Sequence, residues 1–287
     1  MALTAEHIGL LEQSLSTEVR QQTRLGGGDF ADSSKVALAD GRTVFVKTHS
    51  DPPDGFFSTE AAGLAWLRDS ATVNVPEVLL VSDEPPLLVL EWIEQGGAGV
   101  DTEATLGREL AAMHRLPFAC FGRPDKRTTG SQALPNIPCD SWPEFYGQRR
   151  LLPLARIAHD TNVLGKSQIT AIEKLATRLD SFAAADEPAS LLHGDLWAGN
   201  RLVDASGRSW LIDPAAQGGH REFDLAMMRL FGGYSDECFA SYQESFGLHD
   251  GWQQRVVLHQ LAPLIVHAIK FGGHYVAAVG DALRQYD

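Results

Sequence analysis

His193-Gly194-Asp195-Leu196-Trp197-Ala198-Gly199-Asn200 is the stretch on which the reading of this chain turns, together with Asp213, thirteen residues after Asn200 at the close of the apolar run Trp210-Leu211-Ile212. Moving a phosphoryl group onto a hydroxyl needs a carboxylate that orients the hydroxyl and takes its proton. It also needs oxygen ligands for the magnesium ions that offset triphosphate charge. A loop of the form His-x-Asp-x-x-x-x-Asn supplies the base and one ligand, and an aspartate after the next hairpin supplies the other. Asp195, Asn200 and Asp213 fill those places. Either Asn200 or Asp213 alone reads as an ordinary turn residue. Their setting decides the matter: Arg201-Leu202-Val203 and Trp210-Leu211-Ile212 read as short strands around the turn Asp204-Ala205-Ser206-Gly207, a hairpin that brings Asn200 and Asp213 to the same end.

Upstream, an amphipathic helix over residues 5–16 is followed by Arg24-Leu25-Gly26-Gly27-Gly28-Asp29-Phe30 and by alternating stretches at 34–38 and 43–46. Asp40-Gly41 between those stretches is a tight-turn pair. Gly26, Gly27 and Gly28 at the mouth of this hairpin can let backbone amides approach phosphates, although Ala31 leaves the Gly-x-Gly-x-x-Gly pattern incomplete. Lys47 ends the second strand and Glu60 follows thirteen residues later in a helical stretch at 58–69, the spacing of a phosphate-binding lysine held by a glutamate. Apolar segments at 77–81 and 87–93 complete a five-stranded antiparallel lobe. The backbone of Glu91, Trp92 and Ile93, read as an edge strand leaving that lobe, is the expected seat of adenine. Gln95-Gly96-Gly97-Ala98-Gly99 then leads to helices at 102–114, 142–158, 167–183, 222–230 and through the C-terminal third. The expected architecture is α+β and two-lobed, protein-kinase-like: a small N-terminal antiparallel five-stranded lobe over 1–93 and a larger, mainly helical C-terminal lobe over 94–287.

Composition narrows the function further. The chain has 287 residues with 24 Lys plus Arg against 37 Asp plus Glu, a net charge of −13, which disfavours a broad nucleic-acid surface but leaves room for a local triphosphate pocket. The start lacks a secretory pattern and the longest late apolar run is broken by His267 and Lys270, so neither a signal nor a membrane partner is expected. Cys120, Cys139 and Cys238 are too far apart in sequence for a Cys-x-x-Cys site, and a cytoplasmic protein is the default. Gly165-Lys166-Ser167 mimics a Walker A ending without its first glycine, no His-Glu-x-x-His occurs, and His114 and His267 read as core histidines. Asp213-Pro214-Ala215 in place of Asp-Phe-Gly disfavours a protein kinase, so the phosphoryl acceptor is expected to be small or borne on a small moiety.

Over nearly its full length the chain resembles the fructosamine kinase, or ketosamine-3-kinase, family, within the superfamily of aminoglycoside and choline phosphotransferases. The resemblance rests on Leu192-His193-Gly194-Asp195-Leu196-Trp197-Ala198-Gly199-Asn200, Ile212-Asp213-Pro214-Ala215, Gly219-His220-Arg221-Glu222-Phe223-Asp224-Leu225-Ala226, Leu230-Phe231-Gly232-Gly233 and the segment from Trp142 to Leu151. It implies ATP- and Mg2+-dependent phosphorylation of the C3 hydroxyl of a small-molecule or protein-bound ketosamine, whose phosphate then sheds the sugar and restores the amine. By position it makes Asp195 the base, Asn200 and Asp213 the magnesium ligands, Lys47 the phosphate binder oriented by Glu60, and Asp224 the residue that holds the catalytic loop. Trp197 becomes an apolar wall against the sugar, with a core position behind the loop as its alternative. Gly28-Asp29 stands where some relatives carry a redox-active cysteine, so redox control through that loop is not expected. A kinase for an aminoglycoside, choline or sugar, or a nucleotide-binding pseudokinase, remain the alternatives.

Overall fold

Residues 3–26 and 31–286 are described in the computed structural model of the chain, so Gly26 is described while Gly27 and Gly28 lie outside the described residues. The chain divides into two units, Met1–Thr102 with Arg201–Pro214, and Glu103–Asn200 with Ala215–Asp287.

The first unit is built on an antiparallel sheet of β1 (Val19–Leu25), β2 (Asp32–Leu38), β3 (Thr43–Thr48), β4 (Val78–Asp83) and β5 (Pro86–Glu91), in the order β1-β2-β3-β5-β4. Side chains alternate across a strand, so Val36, Val44, Val46, Leu87 and Val89 share one face, where they pack with Leu3 and Leu11 of the segment around α1 (Ala5–Leu15). Lys47 and Leu88, paired in register, point to the opposite face, against which α2 (Phe56–Asp69) packs through β4 and β5. β1 has a polar sequence, Val-Arg-Gln-Gln-Thr-Arg-Leu, because it is an edge strand with most side chains in water. β5 is interior, between β3 and β4, which corrects the expectation that the strand leading to Trp92 is an edge; the Glu91 amide already donates to Glu77 O at 2.9 Å.

The hairpin β7 (Arg201–Val203) and β8 (Ser209–Leu211) forms as expected, Arg201 pairing with Leu211, and it belongs to the sheet unit. Backbone bonds explain this: Gly96 N donates to Val203 O at 2.8 Å and Leu211 N to Asn74 O at 2.8 Å, while Asn74 Nδ2 reaches Ser209 O at 3.0 Å. Asp204 fixes the turn. Its Oδ1 accepts from Ser206 N and Arg208 N and its Oδ2 from Trp210 Nε1, and these bonds, those of Ser206 and Trp210 foremost, hold its carboxyl far below the usual carboxylate range.

The second unit is mainly helical: α3 (Thr102–Arg115), α4 (Trp142–Tyr146), α5 (Leu152–Asp160), α6 (Lys166–Ala176), α7 (Glu222–Leu230), α8 (Asp236–Ser245), α9 (Trp252–Phe271) and α10 (His274–Leu283). Its short strands β6 (Ser190–Leu192) and β9 (Gln217–Gly219) pair antiparallel, and the loop that begins at His193 follows β6 directly. The helix expected at 142–158 is present but contains one wider π turn, Gly147–Leu151. That turn carries Arg150, which is buried and donates to Pro135 O, Asn136 Oδ1 and Gln217 Oε1. The helix expected at 167–183 stops at Ala176, and its apolar spacing continues into a single 3-10 turn, Leu179–Ser181. α9 tolerates Pro263 because Tyr146 Oη donates to Leu258 O at 2.6 Å and to His259 O at 3.3 Å, the carbonyl that a residue with an N–H at 263 would have satisfied. The core of this unit runs from Phe121 through α4–α6 to α9 and α10.

Candidate functional site

The residues singled out by the sequence fall in both units. In the first, Lys47 comes off the α2 face of β3 with only 5% of its surface exposed, and its Nζ donates to Glu60 Oε1 and to Asp213 Oδ1, both at 2.7 Å. Burial alone would lower the lysine pKa. The carboxylates of Glu60 and Asp213 outweigh burial and hold it above the ordinary lysine value, so the ammonium is charged across the physiological range. Asp213 has a left-handed backbone, φ 55°, a conformation that aspartate tolerates better than most residues and that still costs free energy. Its side chain is 42% exposed. A carboxylate has more acceptor positions than one lysine takes, so the residue suits a metal ion as well as the ammonium.

In the second unit the loop after β6 is clamped from behind. His193 N and Gly194 N donate to Asp224 Oδ2 and Oδ1 at 2.7 and 2.9 Å, which is the loop-holding role read for Asp224. Asp224 is fully buried in the first turn of α7, and its second support is His114, whose Nε2 lies 3.3 Å from Asp224 Oδ2 while Nδ1 lies 2.9 Å from Tyr242 Oη. His114 is thus a satisfied core histidine. Gly194 has φ 81°, and a Cβ there would sit 2.2 Å from Ala215 O, so only glycine lets the loop pass so close to the Asp213-Pro214-Ala215 segment's last residue.

Beyond the clamp, the Asn200 amide donates to Asp195 O at 2.9 Å and to Asp195 Oδ2 at 3.0 Å. Turning the amide nitrogen toward Asp195 points the Asn200 carbonyl oxygen the other way, the donor atom a magnesium ion takes. Trp197 N bonds Asp195 O at 3.1 Å and Asn200 N bonds Trp197 O at 2.9 Å, a compact turn that fixes Asp195 between the two. Trp197 is 39% exposed, which removes the core alternative. Its indole lies against Gly199, where a Cβ would fall 2.1 Å from Cη2 and would push the ring aside.

Glu91 ends β5, and Trp92 and Ile93 lie beyond the strand, before the bridge between Gln95 and Asp204. Lys35 Nζ stands 4.2 Å over the Trp92 ring and Ile93 is buried. Gly26 follows β1 directly.

Two buried groups escaped the reading of the sequence. Arg123 is wholly buried, donates to Ala216 O at 2.6 Å and forms a two-pronged pair with Asp125, tying the segment before α4 to the chain just past Asp213-Pro214. His220, Glu222 and His259 bring potential ligand atoms within 4.8 Å of one another, the one such group among the described residues. Its own bonds argue against a metal. His220 Nδ1 accepts from Glu222 N at 3.2 Å and Nε2 donates to Ala184 O at 2.9 Å, while both Glu222 oxygens face the Arg255 guanidinium, which would repel a cation. A lone buried arginine or a His-x-Glu in a sequence carries no signal for either group.

The model of the fructosamine kinase family matches residues 3–286. A protein described as a probable ketoamine kinase, from Enterococcus faecium, is 32% identical over 91% of this chain and 93% of its own length. The chloroplastic protein-ribulosamine 3-kinase of Arabidopsis thaliana is 29% identical over 96% of this chain and 86% of that one. Among solved structures, a fructosamine-3-kinase candidate from Thermobifida fusca is 38% identical, covers 97% of each chain and has a TM-score of 0.88. An ADP-bound aminoglycoside phosphotransferase at 16% identity and a TM-score of 0.65 shares the fold alone, which is that of the protein-kinase-like phosphotransferases. No helix among the described residues is long and apolar enough to cross a membrane.

Proposed function

The chain belongs to the fructosamine kinase family, and from that membership and its two side-chain groups we propose that it transfers the γ-phosphoryl group of ATP to the C3 hydroxyl of a ketosamine. What carries the reading is that the family match spans residues 3–286 and so takes in Lys47, Asp195, Asn200 and Asp213 together.

Asp195 is the base: its carboxylate, held by the Asn200 amide, accepts the proton of the acceptor hydroxyl as the oxygen attacks phosphorus. Lys47, kept charged by Glu60, meets the triphosphate oxygens and offsets the charge that shifts toward the leaving ADP. Asn200 and Asp213 would offer oxygen ligands to Mg2+, which would neutralise phosphate charge. Gly26, Gly27 and Gly28 offer backbone amides to the phosphates, and the backbone of Trp92 and Ile93, past the end of β5, receives the adenine along with Glu91. Trp197 forms an apolar wall for the sugar. The sugar adduct is that of fructose or a shorter ketose on an amine, and loss of phosphate from the product releases the sugar fragment and restores the amine, a deglycation. The reading places this activity in the cytoplasm, in keeping with Cys120, Cys139 and Cys238 forming no disulfide with one another.

The test is ATP consumption over a panel of glycated lysines, with an aminoglycoside, choline and free fructose as controls. Turnover with the ketosamines and not with the controls is expected. Turnover with a control alone would transfer the machinery to another acceptor, and nucleotide binding without turnover on any of them would make the chain a pseudokinase.

A further inference from the structure

Exposed large aromatic side chains are concentrated in one strip of the second unit. Trp197, Phe231 and Phe271 are 39%, 43% and 53% exposed. They are linked ring to ring: Trp197 meets Phe231 edge-on at 6.0 Å, Phe231 lies 5.2 Å from His267, and His267 lies 5.6 Å from Phe271 and 5.0 Å from Tyr275. The rings come from the catalytic loop, the end of α7, the last turns of α9 and the start of α10. They are also set in place. His267 Nδ1 donates to Pro263 O at 2.7 Å, Tyr234 Oη donates to Trp197 O at 3.3 Å, and Gly199 leaves the space that the Trp197 ring fills. A contiguous, preset aromatic surface left in water is the mark of a binding site, whereas single exposed rings are not.

Continuity with Asp195 selects the occupant. The strip begins at Trp197, two residues from the carboxylate that takes the acceptor's proton. In a ketosamine the nitrogen is on C1, two carbons from C3, so the group that the amine carries must leave the Asp195 region over adjoining surface. The protonated secondary amine suits an aromatic face, and an apolar stem or ring beyond it suits Phe231, His267 and Phe271. Resting on the ketosamine reading above, we infer that Phe231, His267 and Phe271 form a specificity-determining subsite for the amine-borne part of the acceptor. The subsite favours adducts of amines that carry an apolar or aromatic group, such as a lysine within a peptide, over adducts of small hydrophilic amines.

The experiment compares kcat/KM for the fructose adducts of Nα-benzoyl-lysine and of methylamine. The parent protein is expected to prefer the benzoyl-lysine adduct by about tenfold, the discrimination that added apolar contact gives. Phe271→Ala, and separately Phe231→Ala, should cut that ratio to about twofold, and because the ratio compares two substrates on one preparation, partial loss of folded protein does not alter it. A ratio near one in the parent, or an unchanged ratio in both variants, overturns the subsite while leaving the ketosamine reading in place. No turnover on either adduct overturns the ketosamine reading and the subsite with it.

Discussion

Asp195 and Asn200 hold one another, and that pairing separates chemistry from binding. Replacing Asp195 by Asn keeps size and hydrogen-bonding capacity while removing the carboxylate, so the phosphotransfer rate should fall by about two to four orders of magnitude with nucleotide affinity little changed. Single-turnover rates and nucleotide affinity on the same preparation check it; a near-normal rate takes the base away from Asp195, and lost affinity gives the residue a structural role. At this scale the pair was legible in the sequence because Asp195 and Asn200 stand at a spacing that the proposed chemistry imposes, whereas Asp224 was legible only through the family resemblance. Arg123 and Arg150 were not, since nothing local distinguishes a buried arginine from a surface one; their partners, Ala216 O and Gln217, are distant in sequence.

Lys47 shows what an element adds to a residue. The β3 alternation sends it to the α2 face, where its ammonium is buried with Glu60, so it supports the first unit in addition to the phosphate-binding role proposed for it. Lys47→Met should therefore lower stability by about 3 kcal/mol, because the Glu60 carboxylate stays buried without its cation, and should weaken nucleotide binding too. Thermal unfolding of Lys47→Met against Lys47→Met with Glu60→Gln measures this: the double variant should recover part of the loss, and an unchanged melting temperature in the single variant contradicts the buried pair. The sheet was readable from alternation and the Asp40-Gly41 turn, although β1 carried no apolar signal because an edge strand needs none. Helix ends were harder. The apolar positions Leu175, Leu179 and Phe182 keep helical spacing past Ala176, yet the chain turns as a 3-10 step there, and the π turn at Gly147–Leu151 leaves no mark in a pattern read at 3.6 residues per turn.

For the molecule as a whole, acid should be destabilising through the buried group at the start of α7. Burial, with His259 adding to it, lowers the His220 pKa from 6.5 to about 4, so the folded chain keeps this imidazole neutral where the unfolded chain would protonate it. Between those values the unfolded state binds more protons, and stability present above pH 6.5 is lost as pH falls toward 4. Glu222 extends the loss to lower pH: burial opposes its ionisation, but the His259 imidazole 3.4 Å away and the Arg255 guanidinium bonded to it outweigh burial and hold it at about 2. Unfolding midpoints in denaturant should fall from pH 7 to pH 4.5 with a slope of up to about 1.4 kcal/mol per pH unit for each such group, and His220→Gln should flatten the upper part of that window; an unchanged profile would mean that the imidazole is not held neutral. The family was legible across the chain because its motifs fall at the loop, the hairpin and the α7 start alike, whereas the acceptor was legible only through that resemblance. The most direct measurement is therefore the position of the new phosphate. After reaction of a fructose–lysine adduct with ATP and Mg2+, phosphorus NMR of the intact product should show a phosphomonoester coupled to the proton on C3, and phosphate on any other hydroxyl, or on none, would contradict the account.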